Sequence, residues 1–478
     1  MGLKENTISG VKWTTFSTVV VNILQLIQLA ILARLLDPTA FGLMAIVMVI
    51  VGFSQAFLDM GISNAIIHKQ EISQEQLSTL YWVNVIAGAL IFLVVCGVSP
   101  FVAIFYHQPE LTKLIILLGT TFLIQPFGQQ FMMLWQKELR FKEIARIDII
   151  NKFVTLIVTV WFAYEGYGVY SLVYGAIAGS IVQTAQFIDL GFKKHKPRFV
   201  FKLKIIKEFL NFGAYQMGER TINYFNYQLD TILIGKLLGM EALGIYNIAK
   251  SLIMKPAMVF NPIITKVTFP AMAKIQDDIV RLKEVYLKTI NYLSSVNFLA
   301  YAFIFIFAHD IVLLLFGMKW LPAVPIVKIL SVWGALRSTG NPIGSLLLAK
   351  GKANWGFFWN LGLFFYVPVG IYIGSHWGLE GVSCSLVILI FLLIIPNWYL
   401  LVQPLCGAGF MEYHIQILKP ALIAILTGVG AYIAIYALDF GVVKFLTGTT
   451  VGLVLAFLLL WLLNHEFLVE LKSLVNLR

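Results

Sequence analysis

Ile234-Gly235-Lys236-Leu237-Leu238-Gly239-Met240-Glu241-Ala242-Leu243-Gly244-Ile245 repeats a pattern that stands 202 residues earlier, Leu32-Ala33-Arg34-Leu35-Leu36-Asp37-Pro38-Thr39-Ala40-Phe41-Gly42-Leu43. The chain starts its architecture twice, and the second start is the more polar. From Phe212 onward the residues leading into the second copy carry a polar stripe. Gln216, Arg220, Asn223, Tyr227 and Asp230 fall at spacings of four and three, which places them on one helix face, and Glu219 and Asn226 widen it.

Outward from this stretch the composition is that of a membrane protein. Of 478 residues, 59% are hydrophobic and 12% charged, and the mean hydropathy is +0.85; soluble domains run nearer half apolar and a quarter charged. A span needs about 20 mostly apolar residues. Fourteen such runs are expected, at 11–36, 41–66, 78–106, 111–135, 147–165, 168–191, 206–236, 242–270, 287–316, 322–349, 353–375, 379–404, 415–438 and 441–464. The first is too long for a signal-peptide core and reads as a retained span. Cys96, Cys384 and Cys406 lie in or beside apolar runs, with no zinc spacing, and read as packing residues.

Orientation follows from the basic residues. With the N-terminus in the cytoplasm, the inner loops and the two ends hold 24 of the 35 lysines and arginines, and the outer loops only Arg34, Lys113, Lys236, Lys319 and Lys444. Both termini are therefore expected in the cytoplasm. The net charge of +11 is mostly this topological signal, which excludes nucleic acid as the reason for it. The linker after the sixth run, Gly191 to Lys207, is the most basic inner loop. It either anchors the topology or lays Phe199 to Lys207 among anionic headgroups.

Six spans separate the two starts, so the repeat is parallel, one of the arrangements common in transporters. Three further echoes fall in order: Asp59 with Asn261, Gln125-Pro126-Phe127-Gly128 with Asn341-Pro342-Ile343-Gly344, and Tyr167-Gly168-Val169 with Trp377-Gly378-Leu379. The matched prolines predict helices that bend. The expected divisions are a six-helix bundle at 1–195, a second at 196–405, and two additional helices with a cytoplasmic tail at 406–478.

An ionisable group at mid-membrane costs about 3 kcal/mol on insertion scales and asks for a reason. Arg220, Lys250, Lys255 and Arg337 sit at similar depth in the second half, where the first half has Thr18, Met48, Phe53 and Thr121. They read either as a cationic patch for an anionic ligand such as a diphosphate, or as internally paired charges. Asp59, Glu219 and Asp230 read as sites for a coupling ion or as salt-bridge partners. Asn22, Gln25 and Gln28 match Tyr224, Tyr227 and Asp230 in the repeat. With Gln216, Asn223 and Tyr227, Gln25 and Gln28 read as sugar contacts or as helix-packing groups. No phosphate loop, nucleophile elbow or metal-ligand spacing is present, so no catalytic residue, cofactor or metal is expected.

Leu32 to Gly42, Asp59-Met-Gly-Ile-Ser-Asn-Ala-Ile-Ile67, Pro197-Arg-Phe199 with Phe212-Gly213, Asp230 to Gly239, and Phe269-Pro270 with Gln276-Asp277 resemble bacterial polysaccharide exporters of the colanic-acid and teichuronic-acid type. These belong to the multidrug/oligosaccharidyl-lipid/polysaccharide exporter superfamily. The resemblance implies two six-helix bundles in a V around a central cavity. It also implies alternating-access flipping of an undecaprenyl-diphosphate-linked oligosaccharide across the cytoplasmic (inner) membrane, for exopolysaccharide, O-antigen or teichuronic-type assembly. Partners implied are that lipid-linked substrate, the phospholipid bilayer, and polymerase or assembly proteins. The family has no short catalytic signature, so the cationic candidates rest on their own placement. The rivals are a multidrug or cation antiporter of the same superfamily, whose site should be acidic, a membrane polysaccharide polymerase, and a transport-inactive scaffold.

Overall fold

The computed structural model describes residues 3–58, 72–193, 195–201, 221–436, 438 and 441–469. Among them the chain is helical with no strand, as hydrogen-bond closure within lipid demands. Helix α1 (Leu3–Leu35) stops before the Asp37-Pro38 step, and Pro38 opens α2 (Pro38–Leu58). The residue before a proline is biased away from helix, and the missing N–H costs nothing at a first turn. Helix α3 (Gln74–Tyr106) is started by a reciprocal cap in which Ser73 and Gln76 each accept from the other's backbone N–H. It is followed by α4 (Glu110–Gly119), a short turn at Thr121–Ile124, α5 (Pro126–Lys137), α6 (Phe141–Tyr164) and α7 (Tyr170–Phe192). The second start supplies α8 (residues 221–237) and α9 (Gly239–Lys274). Then come α10 (Ile279–Ile306), α11 (Ala308–Leu315), α12 (Ala323–Thr339), α13 (Pro342–Ala349), α14 (Ala353–Ser375), α15 (Gly378–Asn397), α16 (Phe410–Ile435) and α17 (Val442–Leu463).

Ten described helices are long and apolar enough to cross a membrane, and the pair Glu110–Ile124 and Pro126–Lys137, bent by 51°, makes an eleventh if counted as one. The count of fourteen thus rests on three further segments. The described part of the seventh is only 221–237. The eighth carries three lysines and Pro256, Pro262 and Pro270. The tenth is split between Thr339 and Pro342.

The matched prolines interrupt their helices in both repeats, with a 51° bend at Pro126 and a break before Pro342. Pro126 has no N–H for the Phe122 carbonyl. That carbonyl faces Gly88 of α3 so closely that a Cβ there would overlap it. The Pro126 carbonyl accepts from Asn84 Nδ2 at 3.4 Å. The third echo is also physical: Gly168 (φ +55°) and Gly378 (φ +68°) both occupy the left-handed region, which glycine enters without a Cβ penalty.

By Cα packing the chain falls into two compact units, Met1–Gly244 and Ile245–Arg478. In the first, α6 packs on α1 and α7, α3 on α4, and α2 on α3 and α4. The α6–α7 approach runs through a small-residue pair, Gly175 and Gly179, whose Cα positions face Thr159, Thr155 and Asn151. Helix α8 belongs to this unit: Tyr224 Oη donates to the Val49 carbonyl of α2 at 2.8 Å, and the rings of Tyr224 and Phe225 pack, tilted, on Phe53 with centroids 5.8 and 4.8 Å away. The start of the linker lies across α3: Arg198 N donates to Ser78 Oγ, Trp82 Nε1 to the Arg198 carbonyl, and the Trp82 and Phe199 rings stack at 4.5 Å. Lys202, Lys204 and Lys207 lie outside the described residues.

In the second unit α10 is the hub. It packs on α12 and α16, and α14 packs on α15, so helix pairs of the first unit recur at their repeat positions. The two extra helices attach to α10 by polar links. Lys283 bridges Glu412 at 3.1 Å, and Asn464 Nδ2 donates to Asn291 Oδ1 and Ser295 Oγ. Lys444 pairs with Asp310 of α11 at 3.5 Å.

Candidate functional site

Of the candidate residues, Gln216, Glu219, Arg220 and Asp59 lie outside the described residues. The others fall into a group on each unit.

In the second unit Lys250 and Lys255 ride on α9, five residues and so about 140° apart around the helix. Lys250 is buried at 6% exposure, while Lys255 is half-buried. Below Lys250 the helices interlock. Tyr301 Oη of α10 donates to the Ile253 carbonyl at 2.9 Å, and a Cβ on Gly334 of α12 would meet Ile253 Cγ2 and Tyr301 Cε1, both at 2.7 Å. This contact fixes the register of α9 against α12. Lys255 lies two residues past Ile253 and Arg337 three past Gly334, about 3 and 4.5 Å along helices that run the same way in an alternating bundle. The two cations are therefore at one height. Arg337 is solvent- or lipid-exposed in the unit, with its guanidinium 4.8 Å from the Trp333 ring centroid, a geometry that holds the planar fork in place. On α9, Asn261 accepts from Asn297 Nδ2 of α10 at 2.9 Å and serves packing.

In the first unit the candidates divide. Gln28 is buried between α1 and α6, donating to Thr159 Oγ1 at 3.3 Å and accepting from Lys152 Nζ at 2.7 Å. Gln25 is exposed on α1, and Asn22 donates to its own helix at Thr18. On α8, Asn223 is exposed and Tyr227 half-buried, while Asp230 is buried with its carboxylate accepting from the Thr231 backbone N–H at 2.7 Å. The repeat-matched positions are thus used differently: Gln28 ties α1 to α6, and Tyr224 reaches from α8 to α2.

Lys152, which counts by sequence as one of the 24 inner cations at the mouth of the fifth run, lies deeper in its helix than that. Helix α6 begins at Phe141, ahead of the expected start at 147, so Lys152 is three turns inside a helix rather than at a span's mouth. Beside it Asp148 accepts from Gln183 of α7 at 3.2 Å. The first half therefore does hold a cation within a spanning helix. The signal that could have found it is its spacing: Asp148, Asn151, Lys152, Thr155 and Thr159 recur at three and four, a polar helical face. Lysine brings a point charge with three donors, glutamine an acceptor and a donor pair, a set suited to binding an oxyanion or a hydroxylated ligand. It carries no nucleophile–base pair.

A many-spanning helical bundle with cations inside its helices is a membrane transport architecture. Over residues 31–325 the chain matches the family described as Polysaccharide biosynthesis protein. It is 35% identical to lipopolysaccharide biosynthesis protein WzxC of Escherichia coli (strain K12) over 433 residues, 90% of this chain and 88% of that one. It is 34% identical to teichuronic acid biosynthesis protein TuaB of Bacillus subtilis (strain 168), over 89% of this chain and 88% of that one. The chain belongs to the polysaccharide biosynthesis protein family, and so to the multidrug/oligosaccharidyl-lipid/polysaccharide exporter superfamily. Its fold is shared with lipid II flippase MurJ in an inward closed conformation, at TM-score 0.76 and 14% identity over 96% of this chain and 100% of that one. It is shared also with an inward-facing multidrug resistance MATE family transporter, at TM-score 0.60 and 16% identity over 85% and 95%.

Proposed function

We propose that this protein flips an undecaprenyl-diphosphate-linked oligosaccharide from the inner to the outer leaflet of the bacterial cytoplasmic membrane by alternating access, for assembly of a cell-surface glycan. One observation carries the reading. The chain matches WzxC and TuaB over almost its whole length, and these are named for different glycans. A likeness to proteins named for two different glycans supports a membrane step over a sugar-specific reaction. The fold likeness to a flippase named for lipid II supports a lipid-linked cargo.

The diphosphate is assigned to the four cations expected at similar depth in the sequence, Arg220, Lys250, Lys255 and Arg337. The sugars are assigned to Gln25, Gln28, Gln216, Asn223 and Tyr227, and a coupling ion to Asp59, Glu219 or Asp230. The protein works without catalytic residues or cofactor, both termini face the cytoplasm, and the repeat divides it at 195 and 405. Polymerase or assembly proteins take the delivered lipid.

The test is flipping in liposomes. Purified protein with an ion gradient is given a fluorescent polyprenyl-diphosphate sugar, and dithionite protection reports transfer. Parent protein should move the lipid. Lys250→Ala and Arg337→Ala should each slow it about tenfold, the loss expected when one charge-assisted phosphate contact of about 1.4 kcal/mol goes. A parent protein that never moves the lipid removes the flippase reading. Variants that move it at the parental rate remove the diphosphate assignment alone.

A further inference from the structure

The motif that reveals the repeat touches its own copy. Gly42 stands one turn into α2 and Gly244 at the same place in α9, 202 residues on. A Cβ on Gly42 would overlap the Met240 carbonyl oxygen and lie 3.1 Å from Met240 Cα, and a Cβ on Gly244 would overlap the Pro38 carbonyl oxygen and lie 3.1 Å from Gly42 N. Pro38 and Met240 are themselves 202 residues apart. The contact is therefore reciprocal, each copy's glycine seated on the other copy's helix start, as in a two-fold interface between identical chains. The clashing atoms are backbone, so no rotamer change can make room for a side chain. Glycine is a poor residue for a first helical turn, and its presence at this register in both copies is accounted for by the close approach. Below the glycines lies an apolar layer that repeats the symmetry. Leu32 (2% exposed) pairs by repeat with Ile234 (0%), and Phe41 (6%) with Leu243 (0%). Ile46, at 1% exposure, puts its Cδ1 3.2 Å from where a Cβ on Gly235 would stand.

We propose that this twinned glycine contact is a reversible clasp that closes the outer ends of α2 and α9 and parts when the transporter opens outward. The inference rests on the alternating-access reading above. Backbone seated on backbone seals without interlocking side chains, so the two surfaces can separate without unthreading rotamers, and Cα–H···O contacts are weak enough to break. The two copies contribute equally, so loss of either glycine has the same effect as loss of both.

The experiment is thiol labelling, which needs no glycan. In a chain with Cys96, Cys384 and Cys406 changed to alanine, Ile46→Cys lies under the clasp, and intact cells are treated with a membrane-impermeant maleimide. The parent should label slowly. Gly42→Ala, Gly42→Val, Gly244→Ala and Gly244→Val should raise the labelling rate, the valines about tenfold, with Gly42 and Gly244 variants alike and the double variant no faster than either. Gly97→Val, at a helical glycine with nothing within 4 Å, should change nothing. Variants present at parental level whose Ile46→Cys is as unreactive as the parent's overturn the clasp. Variants that accumulate only as aggregate overturn it too, since the contact would then be a permanent part of the fold. Labelling that responds in a protein unable to flip lipid would leave the clasp standing and remove the flippase reading.

Discussion

At the scale of residues, charge is legible and its partner is not. His195 follows α7 at the start of the linker and is buried at 6% exposure. Neither ring nitrogen has a hydrogen-bond partner among the described residues. Burial pushes the imidazole below its usual pKa of 6.5. The sign follows: the unfolded chain takes up a proton near pH 6.5 while the folded one resists it, so stability is full above that pH and falls as the pH drops toward the folded value. Thermal unfolding in detergent should therefore show a loss between pH 7 and 5.5 that His195→Phe reduces; an unchanged pH slope in the variant would place the loss elsewhere. Lys250, Lys255 and Arg337 stood out in the sequence because a cation inside an apolar run is conspicuous. Lys152 is less conspicuous because it stands only six residues into the fifth apolar run, where it reads as a headgroup cation, whereas the helix begins at Phe141.

At the scale of helices, spacing and turn chemistry carried most of the reading. The Gln125-Pro126 and Asn341-Pro342 echoes predicted bends, and the chain bends by 51° at the first and breaks its helix at the second. What spacing could not show is which helix each polar face meets. Gln28 pairs with Lys152 across α1 and α6, not with its repeat relatives. The link has a measurable consequence. Gln28→Leu removes the oxygen that accepts from the Lys152 ammonium at 2.7 Å and should cost about 1.5–3 kcal/mol, the range for a hydrogen bond to a charged group. Lys152→Leu should cost less, and the double variant should be more stable than Gln28→Leu alone. Denaturant or thermal unfolding of the four proteins closes this cycle; strictly additive losses would mean that the two residues do not support one another.

At the scale of the whole molecule, two features set the outcome. The first is orientation, which depends on loop charge. A fluorescent protein fused after Arg478 should fold and shine, and alkaline phosphatase inserted after Gln108, between α3 and α4, should be active; the reverse pattern would invert the orientation and with it the direction of the proposed flipping. The second is how the chain divides. Packing places α8 with the first unit, Met1–Gly244, through Tyr224 on α2, although the repeat makes α8 the first helix of the second half. Helices α16 and α17, which have no repeat partner, are bound to α10 by Asn464, Asn291 and the Lys283–Glu412 bridge.

The sequence by itself determined that this is an all-helical membrane protein, that it is a doubled unit, and which family it belongs to. Those properties follow from hydropathy and from local spacing, which act within a few turns of chain and leave their mark on each segment. Only the tertiary structure decided that Gln28 holds Lys152, that α8 sides with α2, and that Gly42 and Gly244 sit on each other's helix starts. Each of these is a choice of partner across more than a hundred residues, and close packing of backbones is decided by the shapes of two surfaces at once, which no single stretch of sequence records.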